Sequence, residues 1–222
     1  MSGEILVARR GIMPYEEARE LQKELAARRQ RGEVGDVLLL LEHPPVYTRG
    51  RRSKPEELPM GSAWYEAQGI EVRETDRGGL VTYHGPGQLV AYPIVDLRGY
   101  GNDVHRYVRG LERTMIDALA ASGVRASTIE GLTGVWVGTR KIGSIGLHVS
   151  RGVTTHGLAV NVNNDLQPFE WVVPCGIEGV SMTSLSRELG VEQDMDAFMA
   201  TLVDSYAKTF DKEPAVDADV AA

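Results

Sequence analysis

The chain has a single cysteine among its 222 residues, so no internal disulfide can form. One thiol also cannot build a structural zinc site without several histidines around it. A long hydrophobic run is missing as well. The longest, Val37-Leu38-Leu39-Leu40-Leu41, stops at Glu42, far short of the roughly 18 apolar residues that span a bilayer. The N-terminus shows no charged stretch followed by an apolar core and a small-residue cleavage site, so no signal peptide is expected. With one cysteine, that points to a reducing cytoplasm. A positive balance is lacking too: the net charge of -7 argues against nucleic acid as the main partner. No repeat, linker or low-complexity tract divides the chain, whose length suits one domain.

What is present reads as strands in hairpins with helices on separate stretches, not as a regular βαβ alternation. Pro14 suits the first turn of a helix in which Tyr15, Ala18, Leu21 and Leu25 repeat at helical spacing to about Arg31. Gly32 and Gly35 end it. Asp36 to Glu42 is a strand whose continuous apolar stretch is expected when both faces are covered. His43-Pro44-Pro45 stops it, and Val46 to Thr48 resumes extended structure. Val72 to Glu74 and Leu80 to Tyr83 read as strands around the Gly78-Gly79 turn. Leu89 to Val95 is another, with Pro93 suggesting a sheet edge or an irregularity. Asp103 caps a long helix with apolar Val104, Tyr107, Val108, Leu111, Met115, Ala118 and Leu119, closed by Gly123. Short strands follow at Gly134 to Val137, Lys141 to Leu147 and Val153 to Val162, the first two joined in a hairpin by Gly138-Thr139-Arg140. Met182 to Leu189 is a short helix, and Asp194 caps a final one through Phe210. Residues 1–211 are expected to form one catalytic domain, and residues 212–222, small, acidic and containing Pro214, a frayed tail. The fold class is α+β, a mixed sheet with helices packed on it.

The lone Cys175 lies in Pro174-Cys175-Gly176, in a loop between strand and helix. Free cysteines are usually buried and inert, but this is a poor place for core filling, so the residue reads as a nucleophile. Reactivity needs a lowered pKa, which a nearby cation supplies, and Lys141 and His84 are the candidates. Lys141 belongs to Gly138-Thr139-Arg140-Lys141-Ile142-Gly143-Ser144-Ile145-Gly146, where small residues leave room for a ligand; the alternative is a solvent-facing strand lysine. His84 belongs to Arg77-Gly78-Gly79-Leu80-Val81-Thr82-Tyr83-His84-Gly85-Pro86-Gly87-Gln88, in which five of twelve residues are Gly or Pro. Such a loop permits close backbone approach to a ligand, or forms a hairpin with tight turns. Positive charge is clustered twice. Arg28, Arg29 and Arg31 end the first helix, where the dipole favours cations. Arg49, Arg51, Arg52 and Lys54 occupy a loop, either solvated or docking an acidic partner.

These segments, with His156-Gly157-Leu158-Ala159 and Asn161, resemble in order and spacing the lipoyl(octanoyl) transferase family, from about Asp36 to Leu189. Members of that family move octanoyl groups from acyl carrier protein to lipoyl domains. The resemblance implies the fold shared with biotin and lipoate protein ligases, and a cytoplasmic acyltransferase acting at the first step of endogenous protein lipoylation. It implies Cys175 as acyl acceptor, Lys141 as the residue that activates it, and His84 as an auxiliary group near the nucleophile. The substrate pocket would be Arg77, Gly78, Gly79, Leu80, Val81, Thr82, Tyr83, His84, Ser144, Ile145, Gly146, Gly157, Leu158 and Ala159. Octanoyl-acyl carrier protein would be the donor. Lipoyl domains of 2-oxoacid dehydrogenase complexes and the glycine cleavage H protein would be the acceptors. A monomer without cofactor, metal, nucleic acid or membrane is implied.

The chemistry supports that assignment. A free cysteine is only a few per cent thiolate near pH 7, and a neighbouring ammonium raises that fraction. Lys141 could instead take the thiol proton if neutral; the pair would titrate together. Exchange of one thioester for another is nearly isoenergetic and aminolysis runs downhill, so neither ATP nor metal is required. The rival readings are a lipoate or biotin protein ligase, which forms an adenylate and needs no nucleophilic cysteine, an enzyme moving octanoyl between two lipoyl-bearing proteins, and a non-catalytic carrier-binding module.

Overall fold

A computed structural model describes residues 3–172 and 180–215. In chain order the elements are β1 (Gly3–Ile12), α1 (Tyr15–Arg31), β2 (Asp36–Glu42), β3 (Val46–Arg49), α2 (Ser62–Ala67), β4 (Glu71–Glu74), β5 (Val81–His84), β6 (Gln88–Ile94), α3 (Val104–Ala121), β7 (Ser127–Ile129), β8 (Leu132–Val137), β9 (Arg140–Ser150), β10 (Val153–Asn161), α4 (Leu185–Leu189), α5 (Met195–Phe210) and β11 (Lys212–Ala215).

The apolar run of β2 explains the layering. Val37, Leu39 and Leu41 point to one face, where α1 supplies Ala18, Leu25 and Ala26. Leu38 and Leu40 point to the other, where α3 and α5 supply Tyr107, Leu111, Met115, Phe198 and Leu202. Each such leucine, fully buried, contributes about 1.5–3 kcal/mol from removal of apolar surface from water. The main sheet has eight strands in the order β11-β1-β2-β6-β10-β9-β8-β7. It is mixed: β1 runs parallel to both β2 and β11, while the pairs from β2 through β6, β10 and β9 to β8 and β7 are antiparallel. A second sheet, β4-β3-β5, is backed by an aromatic cluster of Tyr47, Tyr65, Tyr83 and Phe169. The helix termini follow the local chemistry. Gly32 is left-handed at φ 74° after α1, and the carboxylates of Asp103 and Asp194 accept backbone N–H bonds at the starts of α3 and α5.

Several expectations are corrected. β1 has no counterpart in the sequence reading, because its apolar part is only the four residues Ile5 to Ala8, without alternation and followed by Arg9 and Arg10. Residues 212–215 are not a frayed tail: they pair with β1, Pro214 opposite Ile5, on an edge where a proline costs no ladder bond on the open side. The structure describes nothing beyond residue 215. Pro93 does not mark an edge, since β6 lies between β2 and β10. The irregularity is there, however. The β6–β10 ladder ends at the pair Ala91 and Leu158, and Thr154 Oγ1 takes over, donating to Pro93 O at 2.6 Å and accepting from Val95 N at 3.0 Å. The short helix expected from Met182 begins only at Leu185, because Met182 bridges to Lys141 as extended chain and Ser184 caps the helix. No helix among the described residues is long and apolar enough to cross a membrane.

Candidate active site

The two sheets are joined by the residues just before β5. Arg77 reaches into the small sheet, donating from Nε to Thr48 Oγ1 at 3.1 Å and from Nη2 to Thr48 O at 2.6 Å. Gly78 N donates to Leu147 O of β9 at 2.8 Å. A Cβ on Gly146 would stand 2.9 Å from Gly78 O, so this close approach requires glycine. Beside the seam lies a cavity of about 1080 Å³.

Lys141 lines this cavity, as do Arg77, Gly78, Gly79, Leu80, Val81, Thr82, His84, Ser144, Ile145, Gly146, Gly157, Leu158 and Ala159. Strand pairing brings the second and third segments together, since Ser144, Ile145 and Gly146 of β9 face Ala159, Leu158 and Gly157 of β10. Tyr83 is the exception: alternation along β5 turns it into the aromatic cluster, with its ring 5.4 Å from that of Phe169. Burial there pushes its hydroxyl up to about 12. Cys175 lies outside the described residues.

Lys141 is not a solvent-facing strand lysine. It is 5% exposed, and its Nζ lies 5.5 Å from the centre of the Trp136 ring, a cation–π distance. Its backbone is clamped on the far side: Lys141 N donates to Ser181 O and Thr183 N to Lys141 O, both at 2.9 Å. Ser181 is six residues beyond Cys175 in the sequence, so the clamp ties the lysine to the chain leaving the cysteine segment.

His84 is buried and lines the cavity. Gln88 Nε2 donates to Tyr83 O at 3.2 Å and Asn161 Oδ1 at 2.9 Å, which leaves Gln88 Oε1 to accept from His84 Nδ1 at 2.6 Å. Asn161 Nδ2 in turn donates to Thr183 O at 3.0 Å. Desolvation, helped by nearby His43, lowers the His84 pKa to about 3. The ring is therefore neutral at physiological pH, with Nε2 carrying the lone pair.

Sequence reasoning gave no role to three further groups. His156 lines the cavity and adopts φ 58°, a conformation unfavourable for a non-glycine residue. It is held by Gln22 Oε1, which accepts from His156 N at 2.7 Å, and by Asp76 Oδ1, 2.8 Å from Nε2. That hydrogen bond holds the Asp76 carboxyl well below the usual range. Burial lowers the His156 pKa in spite of the carboxylate. Tyr15 and Tyr92 extend the wall, Tyr15 Oη donating to Thr75 Oγ1 at 3.0 Å. His156 opens the segment His156-Gly157-Leu158-Ala159, which did mark its neighbours as pocket residues, but nothing in the sequence around Tyr15 or Tyr92 signals this convergence, because the three come from α1, β6 and β10.

The basic groups also separate. Arg52 and Lys54 line the cavity and are exposed. Arg49 pairs with Glu74 at 2.5 Å. Arg29 is committed to the buried carboxylate of Asp36 at 2.7 Å, and Arg28 lies 3.9 Å from Glu24.

The lipoyl protein ligase A/B catalytic domain family matches residues 14–207. The chain belongs to this family. An octanoyltransferase of Chloroflexus aurantiacus is 49% identical over 211 residues, covering 94% of this chain and 95% of the relative. At that likeness the chain is an acyltransferase of the octanoyltransferase type. Solved structures agree on the fold. A bi-partite lipoate protein ligase from Thermoplasma acidophilum superposes with TM-score 0.74 at 18% identity, covering 98% of this chain and 87% of the other. A biotin protein ligase from Aquifex aeolicus does so with TM-score 0.54 at 13% identity, covering 94% and 70%. The expected ligase-like α+β architecture is therefore the observed one.

Proposed function

We propose that Cys175 accepts an octanoyl group from acyl carrier protein as a thioester and passes it to a lysine of a lipoyl domain, with Lys141 activating the thiol. The observation that carries the reading is the convergence of Lys141 with three glycine-containing segments on one cavity, Arg77 to His84, Ser144 to Gly146 and Gly157 to Ala159. A volume of about 1080 Å³ is just above the ~300–1,000 Å³ typical of small-molecule sites, ample for an eight-carbon chain and the end of the arm that delivers it. The glycines let backbone, not side chains, form the wall along the acyl group.

In the first step the Cys175 thiolate attacks the donor's thioester carbonyl. The new C–S bond forms as the carrier's C–S bond breaks, and the carrier thiolate takes the proton that Cys175 gave up, delivered from Lys141. In the second, the neutral amine of the acceptor lysine attacks the acyl-enzyme, an amide forms, and the proton lost from nitrogen returns to the Cys175 sulfur. Lys141 is the cation beside the thiolate in both, and it is the group through which the proton can pass. Neutral His84 could accept a hydrogen bond at Nε2 without competing as a cation.

The test is intact mass after incubation with octanoyl-carrier protein in the absence of ATP. The full chain should gain one octanoyl group, release it on addition of a lipoyl domain, and gain none as Cys175→Ser. Turnover seen only with free octanoate, ATP and magnesium would make the chain a ligase instead.

A further inference from the structure

We propose that Glu112 is a positioning residue for Lys141, acting through the backbone of Gly134. The proposal rests on the reading of Lys141 as the group that activates Cys175.

Glu112 lies on α3 and is 1% exposed. Glutamate is almost never fully buried without partners, because its charge loses the solvation of water. Here each oxygen has one. Oε2 accepts from Arg109 Nη1 at 2.6 Å, and Oε1 accepts from Gly134 N at 3.0 Å. Arg109 is 60% exposed, and an ion pair on one helix surface would work equally well with both groups in water. What needs a buried acceptor is the Gly134 amide, an otherwise costly donor inside the protein.

Gly134 has φ 121°, open to glycine and strained for other residues. It opens the part of β8 where the ladder to β9 slips by one residue: Val135 faces Gly143, and Trp136 faces Lys141. A Cβ on Gly134 would lie 2.5 Å from Gly143 O, 2.7 Å from Lys141 Cε and 3.3 Å from Lys141 Nζ. The bare Cα of Gly134 is thus the surface on which the end of the lysine stem packs, and the Trp136 ring faces the ammonium from a neighbouring position. Glu112 holds that surface in place from the helix, while Ser181 and Thr183 hold the lysine backbone. The stem of Lys141 thus packs on a glycine anchored from α3, and its backbone is held by the chain after residue 180.

The test compares Glu112→Gln, Glu112→Asp, Glu112→Ala and Lys141→Ala in the full chain. It measures kcat and KM with octanoyl-carrier protein and the pH profile of Cys175 alkylation by iodoacetamide. Glutamine keeps an oxygen for Gly134 N and should stay close to wild type. Aspartate keeps the charge for Arg109 but is one methylene too short to reach Gly134. It should lose kcat on the order of 10²-fold, as misplaced catalytic groups do, with KM little changed and alkylation shifted toward the Lys141→Ala profile. Alanine should behave likewise; if it does not fold, the aspartate and glutamine variants decide. An active aspartate and an inactive glutamine variant would show that the charge matters and not the bond to Gly134, overturning the proposal. So would wild-type profiles for all the folded Glu112 variants while Lys141→Ala is displaced. A wild-type profile for Lys141→Ala would overturn the Lys141 reading itself, and this proposal with it.

Discussion

His43 Nε2 and Tyr92 Oη lie 2.8 Å apart, and the pair sits directly behind the cavity wall that Tyr92 forms. His43 Nδ1 is 2.7 Å from Met13 O, which can only accept, so Nδ1 carries the hydrogen and Nε2 accepts from the tyrosine. Burial lowers the His43 pKa to about 4 and raises that of Tyr92 well above its ordinary value. Both groups are neutral donors and acceptors, so the pair brings no charge to this part of the wall.

That neutrality sets a pH dependence of stability. The unfolded rings titrate near 6.5, while in the fold His43 is lowered to about 4 and His84 to about 3. Below about 6.5 the unfolded chain binds more protons than the native one, so stability is lost as pH falls toward about 4. The slope is at most about 1.4 kcal/mol per pH unit for each ring. Denaturant unfolding at about pH 7, 6 and 5 should show this loss, and His43→Gln should remove one ring's share of it. A flat profile over that range would mean that the rings take up protons in the fold as they do in the unfolded chain.

Ser144 is half-buried and lines the cavity opposite Ala159. Ser144→Leu should place about two extra carbon-sized groups where the acyl chain is proposed to run. The expected outcome is a KM for octanoyl-carrier protein raised about tenfold, the scale of one or two misplaced methylenes in an apolar pocket. A shorter acyl donor should suffer less. Unchanged kinetics with both donors would move the acyl chain elsewhere in the cavity.

Arg52 and Lys54 are the members of the basic loop that line the cavity, on a chain of net charge -7. An acidic carrier protein needs such a local patch for encounter, and steering acts mainly on association rate and is screened by salt. Reversing both to Glu should lower kcat/KM for the carrier-bound donor and flatten its salt dependence, while a small octanoyl thioester is used almost as before. Equal losses on both donors would place these side chains in the pocket wall or the fold. Arg49 and Arg29, occupied by Glu74 and Asp36, are expected to report on stability.

Composition, local spacing and caps were enough for most elements. The two-faced apolar run of β2, the heptad-like face of α3 and the aspartates before α3 and α5 act over a few residues, so a linear string carries them. The cavity residues were named through the family resemblance that the ordered glycine-rich segments carry; glycine content alone left the Arg77 to Gln88 loop open between a ligand wall and a tight hairpin. What the string could not hold was anything set by partners far apart in it. β11 exists because β1 offers it an edge more than 200 residues away. Tyr83 leaves the cavity because its strand pairs with β3 and its ring finds Phe169. Lys141 is a buried group and not an ordinary strand lysine because a slip in the β8–β9 ladder and an unusual φ at Gly134, whose amide is held by a carboxylate on α3, put bare backbone against its stem. Residue types and short-range periodicity determined which segments could serve. Long-range pairing and burial, which sum over the whole fold, decided which side chains meet and in what state of charge.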